Sequence, residues 1–435
     1  MSVDELPFDS VAVIGLGVEG RTCAARLAEL GLKVYASDIR EDVDVSSLER
    51  LPNVEVELGH HDIDRIRECD TVYFSPSIPN DAEIVREVRN IGVPPLEDLL
   101  TWPDSSKFVV VSGTNGKTTT VHMIDHLLDK LGIDRKIGGN AGGGFDGYAT
   151  LYVRAELARP EVVVCEVCDM TLDYFSDRAP RYDVAVFLNL GLDHLDYHGS
   201  IERYAARAAR FCDRARETAI VKCDGEERKV VERMESTPRC YDELDVEVDI
   251  PLRGEFYRLD AKAALLAVAE ITSEPPEELA PLLSDFTSVP GRIKEYKLGE
   301  GRLVIGKTDN LSALKVVLRD YGPLDVVFWG TPRPGEDYRI EGIGRTLREA
   351  GVERVYVFPG LSEETVDDVI EELTSSGIEA SPVEPSEVAS KALELARRGR
   401  DVGVLGNGQD VIISIQHDVE RAVRFLTAGS ERSRG

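Results

Sequence analysis

The sequence predicts an α/β protein of three blocks, each a largely parallel sheet covered by helices. Three observations carry this prediction. Short apolar runs alternate with helical patterns along nearly the whole chain. Two of those runs end in glycine-rich turns that open into helices. Two polar, proline-bearing stretches, TWPDSSK and TSVPGR, divide the chain where separate cores would meet. With 435 residues, the chain also exceeds the roughly 100–200 residues of an ordinary domain.

The first block, 1–103, opens with SVAVIGLGVEGRTCAARLAELGLKVYASD, read as strand, glycine turn, helix, strand. Its continuous apolar run suits a parallel strand covered on both faces. Gly15, Gly17 and Gly20 have the spacing of a tight Rossmann-like turn, and Asp38 ends the next strand where a ribose-binding acid stands. Two readings stay open on these residues. The turn holds a nucleotide or phosphate, or its glycines only permit close packing.

The second block, 104–291, starts with FVVVSGTNGKTTT and continues through the apolar runs EVVVCEV, DVAVFLN and TAIVK. The segment IERYAARAARFCDRA has a helical pattern. Gly113, Thr114, Asn115, Gly116, Lys117, Thr118 and Thr119 form a glycine loop between strand and helix. Its N–H groups turn toward phosphate oxygens. Lys117 reaches terminal phosphates and Thr118 can ligate Mg²⁺. Glu166 closes an apolar strand, a costly place for a carboxylate unless Mg²⁺ or an arginine meets it. After the next strand, Asn189 leads to Asp193, His194 and Asp196. Such a loop binds metal, relays protons, or is simply hydrogen-bonded to itself.

The third block, 292–435, alternates RLVIG, LDVVFWG, RVYVFP and DVGVLG with helical segments. It reads as a second Rossmann-like domain.

Composition narrows the function. The formal net charge is −29, from 51 basic and 80 acidic residues, which excludes nucleic acid and anionic membranes as general partners. No apolar run approaches the roughly 20 residues of a membrane span. The first residues lack the basic and apolar regions of a signal peptide, so a cytoplasmic protein is expected. Seven scattered cysteines fit reduced thiols. The pair Cys165 and Cys168 reads as structural, in a buried strand.

Taken in order, these motifs resemble the Mur ligase family over nearly the whole chain. GTNGKTT matches its phosphate loop, and IGGNAGG, with Asn140, its substrate-contacting loop. Glu166 falls at its Mg²⁺ glutamate, and Asn189 to Asp196 match its NxxxDHxD segment. The resemblance implies an ATP-dependent ligase that activates a carboxylate as an acyl phosphate and joins it to an amine. The last domain is expected to close over the site and exclude water. On this resemblance Lys117, Glu166, His194 and Lys307 would carry the chemistry, Gly113 to Thr119, Arg292, Asp260 and Asp309 would hold ATP, and Thr118, Glu166 and His194 would hold Mg²⁺. The first block is most similar to the member that adds D-glutamate, so Gly15, Gly17, Gly20, Asp38, Arg40, Ser75 and Pro76 would line a UDP site. Gly408 and Asp410 lie in a loop similar to that of members adding a basic or diamino acid. The implied partners are a UDP-linked acceptor and an amino acid, with a monomeric protein. This mixture and the acidic composition suggest a pseudomurein peptide ligase of archaeal type.

The chain also departs from the family. Its GxHNxxN segment reads Gly254-Glu-Phe-Tyr257-Arg-Leu-Asp260, without the asparagines, and Ile305 replaces the ribose-binding aspartate. Glu19 stands in the first glycine turn. Many members carry a lysine four residues after a tyrosine, and its carbamate holds the second metal. Here Tyr204 is followed by Ala208, with Arg207 and Arg210 nearby. The alternatives are an NAD-dependent oxidoreductase, a nucleotide-binding relative that no longer ligates, and a ligase for folate or another polyglutamyl substrate.

Overall fold

The structure is a computed structural model that describes residues 5–101, 106–191, 193–287 and 289–432, with the backbone alone for 195, 196 and 425–432. Most of the first expected linker, part of the second, and the Asp196 side chain lie outside the described residues. The chain forms two compact units. One comprises Met1–Leu190, His194–Asp249 and Leu259–Leu283, and the other Gly191–Asp193, Ile250–Arg258 and Ser284–Gly435.

The first unit holds two sheets. Strands β1 (Ser10–Ile14), β2 (Lys33–Asp38), β3 (Val54–Leu58) and β4 (Thr71–Phe74) form one, in the order β3-β2-β1-β4 and all parallel. Direction of growth reverses between β1 and β4, which opens a crevice at their carboxyl ends. The second sheet contains β5 (Lys107–Ser112), β6 (Arg135–Gly139), β7 (Val162–Glu166), β8 (Val184–Phe187), β9 (Thr218–Val221) and β10 (Arg239–Cys240), in the order β10-β9-β8-β5-β7-β6 and all parallel. Its switch point lies between β5 and β8.

One apolar cluster runs through both sheets, from Val11, Cys23 and Tyr73 to Tyr148, Phe175 and Phe187. Tyr148, Tyr152, Tyr174 and Phe175 sit on two helices of the second sheet, Tyr148–Ala158 and Leu172–Asp177. The rings of Tyr148, Tyr174 and Phe175 meet edge-on or stacked, with centroids 5.1–5.9 Å apart. Polar ties reinforce the apolar seam between the first two blocks: the Tyr174 hydroxyl donates to Glu97 at 2.6 Å, and Arg26 pairs with Asp146 at 2.9 Å.

The second unit has one sheet, of β11 (Lys294–Leu298), β12 (Gly301–Ile305), β13 (Val326–Gly330), β14 (Arg354–Phe358), β15 (Glu379–Pro382) and β16 (Asp401–Gly406), in the order β11-β12-β16-β13-β14-β15. Only the β11–β12 pair is antiparallel. β11 and β15 carry half-exposed polar residues, which hides them from a reading based on apolar runs.

One cysteine expectation is corrected. Cys223 and Cys240 form a disulfide, because the parallel pairing of β9 and β10 brings their carboxyl ends together, with Cα atoms 5.4 Å apart. The remaining cysteines are free. Burial pushes the Cys168 thiol up to about 12, as suits a structural residue.

Candidate active site

The first glycine turn is assembled by β1, β2 and β4. The N–H of Gly15 donates to Ser37 O at 2.8 Å, and that of Ser75 to Ile14 O at 2.9 Å. A Cβ on Gly20 would lie 1.8 Å from the Gly15 carbonyl oxygen, so the helix Val18–Glu29 rests directly on its own turn. Asp38 is buried and committed to this turn: its Oδ2 accepts the Leu16 N–H at 2.7 Å, and its Oδ1 accepts the Arg40 N–H at 3.0 Å and Nε at 3.3 Å. Burial pushes the Asp38 carboxyl up, and these donors more than reverse it, leaving it below its ordinary value. Gly15, Gly17, Asp38, Arg40, Ser75 and Pro76 thus gather at the switch point. Glu19 turns away from it. Its oxygens accept the N–H groups of Tyr148 at 2.5 Å and Ala141 at 3.1 Å, at the second sheet.

The second glycine loop joins β5 to the helix Lys117–Lys130. The side chain of Asn189, at the end of β8, clamps it, accepting from Asn115 N and donating to Asn115 O, both at 2.9 Å. Gly116 has φ +87°, and a Cβ there would lie 2.4 Å from Asp260 Oδ1. Asp260, on the helix Glu255–Thr272, therefore packs against the loop. Lys117 Nζ donates to Gly113 O at 2.6 Å and Thr114 O at 2.9 Å, folded over the loop it is expected to leave for phosphate.

Glu166 ends β7 and is buried. It accepts from Thr118 Oγ1 at 2.5 Å and from Asn140 Nδ2 at 2.9 Å. Asn140 in turn accepts Gly142 N–H at 3.1 Å. A hydroxyl and a buried carboxylate beside a phosphate loop are hard oxygen donors, so Thr118 and Glu166 fit a divalent cation.

Sequence reasoning missed two neighbours. Asp169, three residues past Glu166, is 2 % exposed, and its Oδ1 lies 3.8 Å from Lys117 Nζ. His198, four residues past His194, is 1 % exposed, and its Nε2 lies 3.5 Å from Asp169 Oδ2. Burial pushes the Asp169 carboxyl up, but Lys117, His198 and His194 outweigh it and hold the group well below the usual carboxylate range. His194, with φ +49°, is therefore within electrostatic reach of Asp169. The available signals were an acid just beyond an apolar strand and a second histidine one helical turn on.

Other expected residues stand in the second unit. Lys307 Nζ pairs with Asp309 Oδ2 at 2.8 Å. Burial pushes the Asp309 carboxyl up, and Lys307, Arg339 and Arg292 bring it well below its ordinary range. Arg339 is another missed residue. It is 7 % exposed, donates to Asn407 Oδ1 at 3.0 Å and lies 3.7 Å from Asp193 Oδ1. Ile305 is fully buried in the apolar core, and the Tyr257 hydroxyl donates to Ile293 O at 2.7 Å. Gly408 packs on the Gly360 backbone, while Asp410 is exposed at the start of the helix Gln409–Arg432.

Residues 9–96 match the Mur ligase MurD-like N-terminal domain, and residues 111–241 match the Mur ligase middle domain. Among relatives, the UDP-N-acetylmuramoylalanine–D-glutamate ligase of Desulfatibacillum aliphaticivorans is 30% identical over 213 residues, 47% of this chain and 45% of that protein. The match thus spans less than half of that relative's length. The enzyme of the same name from Pseudothermotoga lettingae is 24% identical over 437 residues, 95% of this chain and 96% of that one. The fold is shared with solved structures. A pseudomurein peptide ligase type C from Methanothermus fervidus superposes with a TM-score of 0.56 at 18% identity, over 95% of this chain and 100% of that one. The UDP-N-acetylmuramate–alanine ligase of Thermotoga maritima gives 0.59 at 18% identity, over 95% and 99%. For the FolC protein of Escherichia coli the values are 0.58 and 17%, over 75% and 91%. The chain belongs to the Mur ligase family, a family of ATP-dependent acid–amino-acid ligases.

Proposed function

We propose that this protein uses ATP to join the carboxylate of a UDP-linked precursor to the amine of an amino acid, in building a pseudomurein or peptidoglycan-like cell-wall peptide. The carrying observation is the pairing of a lysine-bearing phosphate loop with two buried carboxylates, Glu166 and Asp169, at the carboxyl end of one sheet. Such a site handles a large change of phosphate charge.

The substrate carboxylate oxygen attacks the terminal phosphorus of ATP. The bond to the ADP oxygen breaks, and an acyl phosphate forms. The amine then attacks the acyl carbon, phosphate leaves with the bonding electron pair, and the amine gives up a proton. Lys117, drawn off its own loop carbonyls, follows the transferring phosphoryl group. Backbone N–H groups of the loop cradle the phosphates. Thr118 and Glu166 would hold Mg²⁺, which when bound neutralises phosphate charge. Lys307 and Arg292 are further cations for phosphate. Arg40, Ser75 and the Gly15 turn would receive the UDP moiety, and Gly408 and Asp410 the incoming amino acid.

The four-stranded first sheet with its glycine turn favours a UDP-linked substrate over a folate-type one. FolC aligns with 75% of this chain, against 95% for the pseudomurein peptide ligase and the UDP-N-acetylmuramate–alanine ligase. The deciding assay is phosphate release from ATP and Mg²⁺, with UDP-linked peptides screened against each amino acid. Release that needs one such pair is expected. Release with folate substrates alone would select the second reading, and hydride transfer with NAD would remove both.

A further inference from the structure

Asp169 is a buried carboxylate set against the phosphate loop. Its Oδ2 makes no hydrogen bond, and its Oδ1 accepts from the Cys168 thiol at 3.7 Å and faces Lys117 Nζ at 3.8 Å, beyond hydrogen-bond distance. Lys117 points its hydrogens at two loop carbonyls instead. A terminal phosphate taken up by Lys117 would bring more negative charge to the same place. A buried carboxylate beside a phosphate, met by one ring N–H at 3.5 Å and by a lysine that the phosphate would draw away, calls for a cation between them.

The surroundings hold this carboxylate in one pose. His198 Nδ1 lies 3.2 Å from Arg207 Nη1. Guanidinium nitrogens only donate, so Nδ1 accepts and the ring proton is on Nε2. That N–H faces Asp169 Oδ2 at 3.5 Å. The ring is fixed by stacking on Tyr204, with centroids 4.0 Å apart and planes 10° apart. Arg207 is itself anchored by Asp173 at 3.1 Å. The Tyr204 hydroxyl reaches Thr114 Oγ1 of the phosphate loop at 3.2 Å. Ala208, on the same helix, is buried and offers no ligand.

Resting on the ATP reading above, we propose that Asp169 is a protein ligand of a second divalent cation, separate from the one at Thr118 and Glu166, with His198 and Arg207 as its positioning residues. Asp169 then supplies, from the encoded sequence, the negative charge that a modified lysine would otherwise bring. Among the described residues no three His, Cys, Asp or Glu side chains converge as a metal cage. His194, phosphate oxygens and water would complete the ligand set, as suits a hard cation that keeps several waters.

The test counts ions rather than turnover. Mn²⁺ is titrated into the full chain holding the β,γ-imido analogue of ATP, in CO₂-free buffer, with free Mn²⁺ read by electron paramagnetic resonance. Two ions are expected for the wild type. Asp169→Asn should bind one, with analogue affinity within about threefold of wild type, while Asp169→Glu retains two. His198→Ala should weaken the second ion by about tenfold and leave the first unchanged, as expected for a lost outer contact. Two ions at wild-type affinity in Asp169→Asn would overturn the assignment. A wild type that binds a single ion overturns it too, whether or not the variants fold, and leaves the ATP reading standing. A wild type with no nucleotide-dependent Mn²⁺ uptake removes both.

Discussion

The chain contains the same device twice in one compact unit: a parallel strand, a glycine turn and a helix. The two copies differ in what the neighbouring strands place around the turn. At the first, Asp38 is spent on the Leu16 N–H and on Arg40, and Glu19 is turned away to Tyr148 and Ala141. At the second, Lys117, Glu166 and Asp169 put opposite charges against one loop, with histidines beside them. A backbone turn alone suits a phosphate that is held and released unchanged. Charges poised against it suit a phosphate whose bonds are remade. Topology is thus shared, and on the proposed function strand-end side chains separate a binding turn from a reacting one.

The strongest way to break this contrast is Lys117→Ala. Phosphate release should fall at least about 100-fold, since a poised donor to a developing charge is lost. The thermal melt should stay near wild type. Near-normal release would make the second turn as passive as the first.

His194→Ala should lower kcat further than it weakens ATP binding, because a metal-side group acts mainly on charge that develops in the reaction. Saturation kinetics and ATP titration separate the two effects. Poor ATP binding with normal kcat would assign His194 to the ground state.

At the first turn the matching substitution is Gly20→Ala. The added methyl meets the Gly15 carbonyl oxygen, an overpacking cost of about 1–3 kcal/mol or more. A Tm lower by several degrees is expected, together with loss of the Tm increase that a UDP-linked ligand gives the wild type. The increase with the imido analogue of ATP should remain. NAD should stabilise neither protein, and saturable NAD binding would reassign the first turn.

Glu19 gives a smaller, pH-dependent effect. Burial pushes its carboxyl up from 4.5 to about 7, against the lowering pull of the Tyr148 and Ala141 N–H groups. A carboxyl whose pKa rises on folding stabilises the fold fully below 4.5 and loses that contribution as pH rises through about 7. Wild-type Tm should therefore fall by a few degrees relative to Glu19→Gln between these limits. Parallel Tm–pH curves would show that Glu19 does not titrate in the joint between the two sheets.

The smallest expected effect is none. With Ala208 on the helix and Asp169 encoded as the anion, stripping CO₂ and restoring bicarbonate at constant pH and ionic strength should leave activity unchanged. Recovery on restoration would reveal a carbamate elsewhere.

Both glycine turns, their helices and most buried strands were legible in the sequence, since apolar runs and glycine spacing are local signals. β11 and β15 were not, because edge strands with half-exposed polar residues lack the apolar run of a central strand. That Lys117, Thr118 and Glu166 stand together at one loop could be read from spacing, as loop and strand end fix their direction. Three matters required the tertiary structure. The Cys223–Cys240 bond depends on which strands pair. Glu19 serves the joint because the first N–H of the helix Tyr148–Ala158, that of Tyr148, and the N–H of Ala141 are both directed at it. Asp169 and His198 face each other only because the ends of β7 and β8 converge on one loop. Local pattern determines which residues can form a strand or a turn. Which side chains then share a buried space is set by distant chain segments meeting, and charge in that space decides the chemistry.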